Sequence, residues 1–234
     1  MTRIHIICEG QTEEAFVNNL LVPHFALLGI FLHPSLIGKP GHKGGFVKVG
    51  RLFIVIRNRL LGDKTAWCTT FFDYYGLSDD FPGKLEADKG GTAEEKSSRL
   101  LAGLMATLDE KIDAEPLCRF IPYVQMHEFE GLLFSDPVRF ASGICRPKCG
   151  ERLQTIRNEF ATPEEISDDP TTAPSKRIQA VCRDYEKPTH GTLASLEIGL
   201  DTIRRKCRLF DGWLKRLEAL ATPEDGSRKD ATTP

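Results

Sequence analysis

Apolar residues fall into short runs separated by polar, glycine-bearing stretches, and the period of each run predicts an element. Residues 3–8 are apolar and β-branched, which predicts a buried strand. Gly10 then predicts a sharp turn, since glycine takes positive φ without steric cost. A helix is expected from about Thr12. Phe16 with Leu20, and Val17 with Leu21, recur at helical spacing until Pro23 breaks or kinks the pattern. Residues 30–37 predict a second strand, weakened by Pro34. Residues 38–45, rich in Gly, Lys and His, predict a loop. Residues 46–61 predict a helix with Val49, Leu52, Phe53, Ile56 and Leu60 apolar, and with Arg51, Arg57 and Arg59 opposite.

Residues 67–72 make the most strand-like run, and it stops at Asp73. A long polar loop follows over 73–91, and long ordered loops in compact domains are often functional. Thr92 and Glu95 fit a capping box that opens a helix to about Ile112, with Leu100, Leu101, Leu104, Met105 and Leu108 as its buried stripe. Residues 119–126 predict a further strand, in which Pro122 argues for an edge position or a bulge. Residues 128–134 read as the start of a helix. This alternation of strand and helix implies a mainly parallel α/β sheet with right-handed crossovers. After it, helices are expected at about 151–160, 175–184, 193–207 and 210–220, with no convincing strand. The organisation expected is an α/β core over 1–136, a helical extension over 137–221 and a disordered polar tail over 222–234.

Composition is ordinary for a globular chain, at 41% hydrophobic and 27% charged over 234 residues. Net charge is −2, so no global field draws in nucleic acid. A polyanion would need local patches, a bound metal or a partner. The stretch Arg204, Arg205, Lys206, Arg208, Lys215, Arg216 could hold a phosphate backbone or form a solvated helix face. Seven scattered cysteines read as reduced and mostly buried, and Cys145 with Cys149 lacks the second pair a zinc site needs. The start of the chain does not read as a signal peptide, and no run reaches the ~18 apolar residues of a membrane span. A cytoplasmic protein without membrane contact is expected.

In open α/β sheets ligands bind beyond the carboxyl ends of the strands. There the sequence puts Glu9, then Asp73 and Tyr75, then His127, Glu128 and Glu130. Two carboxylates ~5 Å apart repel by roughly 3 kcal/mol at an effective dielectric of 20, unless a cation or a proton compensates. Hard oxygen donors of this kind suit Mg²⁺ or Mn²⁺, which can polarise a phosphoryl oxygen and activate water. Glu13, in the first helical turn, could point back over the same rim or merely complement the helix dipole. His127 could be a ligand, a general base or a turn-fixing group. Tyr75 could contact phosphate or close its loop. His42, Lys43 and Lys48 flank glycines without a Walker pattern, and no serine sits in a nucleophile elbow.

Glu9-Gly10-Gln11-Thr12-Glu13 resembles the opening motif of Toprim domains, especially those of overcoming-lysogenization-defect (OLD-like) nucleases. The blocks Asp73-Tyr74-Tyr75-Gly76-Leu77, residues 127–136 and residues 173–177, with Lys187, His190-Gly191 and Ile198-Gly199-Leu200, resemble the bacterial domain-of-unknown-function family 4276 over nearly the whole chain. The resemblance implies a Toprim-like, mainly parallel sheet flanked by helices, with a C-terminal helical extension. It also implies a Mg²⁺- or Mn²⁺-dependent nuclease. Glu9 would be metal ligand or general base and Asp73 a ligand. Glu13, Glu128 and Glu130 would complete the site, and Lys176 would steady the phosphate. Tyr75 stands where the Toprim pattern has its second acid, so Glu128 or Glu130 would supply that carboxylate. Similar proteins often act on nucleic acid beside an ABC- or SMC-like ATPase in antiphage defence. Two rival expectations are a non-catalytic interaction module and a phosphoryl-transfer enzyme for a small substrate.

Overall fold

The computed structural model describes residues 1–38, 48–166 and 169–221. The loop expected at 38–45, with His42 and Lys43, lies almost wholly outside them. So do the start of the helix expected at 46 and the tail from 222.

Among the described residues, five parallel strands form the sheet. They are β1 (Thr2–Cys8), β2 (Ile30–Leu36), β3 (Trp67–Asp73), β4 (Phe120–Ile121) and β5 (Val124–Gln125), in the order β2-β1-β3-β4, with β5 further along β3. Parallel neighbours need crossovers, and the chain supplies helices for them. The first is α1 (Gln11–Phe16), continued through a π turn over Val17–Leu21 into α2 (Val22–Ala26). The wider turn lies just ahead of Pro23, whose missing N–H and bulky ring disrupt ordinary α spacing. Gly10 is extended at φ −145, not left-handed as its sequence suggested.

The strand expected at 119–126 is interrupted at Pro122, which cannot donate to the ladder. Thr70 Oγ1 bridges the gap: it donates to the Tyr123 carbonyl at 2.8 Å and accepts from the Tyr123 amide at 3.1 Å. The remaining helices are α3 (Val49–Gly62), α4 (Lys84–Ala87), α5 (Ala93–Asp109), α6 (Ala114–Leu117), α7 (Glu130–Leu133), α8 (Pro137–Gly143), α9 (Gly150–Asn158), α10 (Pro174–Val181), α11 (Lys187–Ile198), α12 (Leu200–Lys206) and α13 (Arg208–Glu218). The loop over 73–91 therefore contains α4. The helix expected at 193–207 is two helices, split at Gly199, whose φ of 82 ends α11.

Alternate side chains of β1 face opposite layers. Ile7 packs with Leu52, Ile56, Leu100 and Leu104 of α3 and α5. Ile4 and Ile6 pack with Phe16, Phe71, Phe210 and Trp213. The helices after residue 136 thus bury their apolar faces in the same cluster as β1 and β3. Trp213 stacks on Tyr123, with ring centroids 4.4 Å apart, and donates its indole N–H to Thr69 Oγ1 at 2.9 Å.

Candidate active site

Strand register brings three chain segments to one rim. Cys8 lies opposite Phe71, and Asp73 lies opposite Gln125, so Glu9, Asp73 and the segment from His127 leave the sheet at its carboxyl end. Glu9 Oε2 accepts a hydrogen bond from the Asp73 amide at 2.9 Å. Gly76 leaves room for it: a Cβ there would collide with both oxygens of the Glu9 carboxylate. Glu13, 5% exposed, accepts from the Gly10 amide at 2.9 Å, which fixes its carboxylate at the start of α1. Asp73 Oδ1 accepts from the Phe129 amide at 2.7 Å. Glu128 Oε2 accepts from the Ser175 amide in the first turn of α10, at 2.9 Å.

Lys187, the first residue of α11, stands among these acids. Its ammonium is 2.9 Å from Glu130 Oε2, 3.6 Å from Glu128 Oε1 and 4.0 Å from Asp73 Oδ2. Glu130 is fully buried, and its other oxygen accepts from the Tyr185 hydroxyl at 3.4 Å. Among the described residues, one ammonium does not balance Glu9, Glu13, Asp73, Glu128 and Glu130. Burial, then the charge on Glu13, pushes Glu9 up to about 7. Burial, against the pull of Lys187, leaves Glu130 also at about 7. Asp73 is raised by burial and by the fields of Glu13 and Glu9, and Glu13 is raised by burial. Burial works against the Lys187 ammonium, but Glu130, Asp73 and Glu128 hold its pKa above the ordinary lysine value.

The model of a family described as a domain of unknown function, DUF4276, matches residues 8–218. The chain belongs to the DUF4276 family. A solved structure of the C-terminal region of the Xanthomonas campestris pv. campestris OLD protein is similar over 94% of this chain and 97% of that one, at 14% identity and a TM-score of 0.39. A comparison with curated proteins finds no match.

The span matched to DUF4276 contains every acid at the rim and Lys187. Lys176, expected near the phosphate, is exposed on α10, and its side chain makes no hydrogen bond or ion pair among the described residues. Lys187 is the lysine that reaches the acids. The sequence pattern includes Lys187 only among the residues of the family resemblance, with no role, because the packing of α11 is what puts it beside Glu130. Tyr75 and His127 pair with each other, hydroxyl to Nδ1 at 3.0 Å. In the basic stretch, Arg204 and Lys215 are engaged by Asp211 and Glu218.

Among the described residues of this DUF4276 chain, no group of three His, Cys, Asp or Glu side chains is already arranged to hold a metal ion. Mg²⁺ typically takes one or two carboxylates and fills its remaining positions with water and substrate phosphate. Glu9 and Asp73, joined through the Asp73 amide, meet that requirement in donor type. Among the described residues, no helix is long and apolar enough to cross a membrane.

Proposed function

We propose that this protein is a Toprim-type, Mg²⁺- or Mn²⁺-dependent nuclease that cleaves phosphodiester bonds. The observation that carries the reading is the excess, among the described residues, of carboxylates over cations at the carboxyl rim of parallel strands, with Glu9 and Glu130 pushed up to about 7. Such an excess costs stability unless a cation or a proton joins it, and carboxyls perturbed by burial and like charge cluster at functional sites. The metal, when bound, would polarise the phosphoryl group and stabilise the leaving oxygen. Glu9 and Asp73 would hold it, with Glu13 and Glu128 around them. Where Asp73 and Glu128 hold the metal instead, Glu9 would be the base that takes a proton from the attacking water. Lys187, rather than Lys176, would steady the substrate phosphate as a point charge. With a net charge of −2, the chain would rely on a partner for most of its nucleic-acid surface, and an ABC- or SMC-like ATPase of an antiphage system fits that need.

Tyr75, where the Toprim pattern has an acid, favours a second reading: a metal-binding interaction module without turnover. One set of measurements separates the two. Wild type, Glu9→Gln and Asp73→Asn are incubated with single-stranded and duplex DNA and RNA, with Mg²⁺ or Mn²⁺, and Mn²⁺ binding is followed by electron paramagnetic resonance. Metal-dependent cleavage that falls roughly 100-fold or more in both variants supports the nuclease. Mn²⁺ binding without cleavage supports the module, and neither binding nor cleavage overturns both.

A further inference from the structure

We propose that Tyr75 and His127 are a positioning pair that sets the orientation of the Asp73 and Glu128 carboxylates. The role assigned to those carboxylates rests on the metal-site reading above. The pairing claim rests on its own geometry.

His127 has φ 63, a left-handed backbone that a non-glycine residue adopts at a cost. Glycine would relieve that cost, yet the chain keeps an imidazole there and buries it to 2% exposure. The ring hydrogen-bonds the Tyr75 hydroxyl at 3.0 Å and packs against the Tyr75 and Tyr74 rings, at 5.3 and 6.4 Å between centroids. Two further bonds join the same segments. The Tyr75 amide donates to the His127 carbonyl at 3.0 Å, and the Phe129 amide donates to Asp73 Oδ1 at 2.7 Å.

The loops after β3 and β5 are therefore tied at three points, and the reacting groups lie between the ties. Asp73 has Oδ1 committed to Phe129, which leaves Oδ2 facing Lys187. Glu128 sits between the bonded residues His127 and Phe129, so its reach to Lys187 and to the Ser175 amide follows from the same turn. The left-handed residue bends the chain as it leaves β5, and the Tyr75 hydroxyl holds that bend from the side-chain end. Neither residue needs to touch substrate for this role.

The test compares Tyr75→Phe, which removes one oxygen, with His127→Asn, which keeps a residue tolerant of positive φ but loses the imidazole. Amide exchange and chemical shift are followed by NMR on the whole protein without added metal. In both variants the Phe129 amide is expected to exchange roughly fivefold faster, the factor for one lost net hydrogen bond, and its resonance to move, while the Ile6 amide in β1 keeps wild-type protection. With metal and nucleic acid, kcat is expected to fall with KM unchanged. The double variant should lose less than the sum of the two single ones, because both changes remove the shared Tyr75–His127 bond. Wild-type exchange and shift at Phe129 in both variants would overturn the proposal. If Phe129 responds but wild type neither binds Mn²⁺ nor cleaves, the pairing stands and the nuclease reading falls.

Discussion

Two charged clusters use nearly the same residue types and reach opposite electrostatic states. Between α12 and α13, Arg204 contacts Asp211 at 2.6 Å and Glu218 at 2.5 Å, Lys215 contacts Asp211 at 2.7 Å, and His24 meets Glu218 at 2.6 Å. Burial opposes the charge on Asp211 and Glu218 there too. Lys215 and Arg204 outweigh it at Asp211, and Arg204 and His24 outweigh it at Glu218, so both carboxyls sit below their ordinary range. At the rim, Lys187 reaches Asp73, Glu128 and Glu130, with Glu9 and Glu13 beside them, and burial and like charge win at Glu9 and Asp73. The difference is in charge balance, not in the presence of ion pairs. A balanced cluster holds the fold together, whereas an unbalanced one waits for a ligand or a proton.

The largest effect should come from removing the rim's cation. Lys187→Met leaves Glu130 buried without a counter-charge, which is expected to cost about 3–5 kcal/mol at pH 8 and less at pH 5, where Glu130 and Glu9 take protons. Arg204→Met should cost less, with a smaller change between the two pH values, because Asp211 keeps Lys215 as a counter-charge and neither Asp211 nor Glu218 is fully buried as Glu130 is. Urea unfolding at both pH values reads this out, and equal pH dependence in the two variants would break the comparison.

A smaller effect is expected from pH alone. Glu9 and Glu130 have folded-state values of about 7 against an ordinary 4.5, so the folded chain keeps protons that the unfolded chain releases. Their contribution is fully present below about pH 4.5 and is lost as pH rises through about 7, at on the order of 3 kcal/mol per group. Thermal unfolding should therefore show a stability that declines from pH 5 to 8 in metal-free protein. Saturating Mn²⁺ should flatten the decline, because a bound cation favours the charged carboxylates. A flat metal-free profile would remove the imbalance from the account.

The smallest effect sharpens the same point. Gly76→Ala puts a methyl group into the space of the Glu9 carboxylate, which can swing away as the end of a flexible side chain. Stability should change by no more than about 1 kcal/mol. Mn²⁺ affinity should fall about tenfold, because the Glu9 oxygens lose their place beside the Asp73 amide. Isothermal titration with Mn²⁺ checks it.

Much of this arrangement is legible before folding is considered. Strand runs that stop at Glu9 and Asp73 announce themselves through β-branched residues followed by an acid. The capping box is local, and both of its bonds are present: the Glu95 amide donates to Thr92 Oγ1 at 3.2 Å, and the Thr92 amide donates to Glu95 Oε2 at 2.9 Å. The short α8 was missed because seven residues hold too little periodicity to register. The break at Gly199 was missed because the apolar spacing continues across it, while one left-handed residue redirects the chain.

By itself the sequence determined which residues end strands, where helices can start, and that acids gather at strand ends, since each follows from local sterics and from a periodicity spanning a few residues. Only the tertiary structure decided that Lys187 and not Lys176 meets those acids, that Tyr75 closes on His127, and that Arg204 is neutralised within its own cluster. The first depends on how α11 packs against the rim, the second on the pairing of β3 with β5, and the third on how α12 and α13 lie against each other. A contact between residues more than fifty positions apart is set by the whole core rather than by the spacing around either partner.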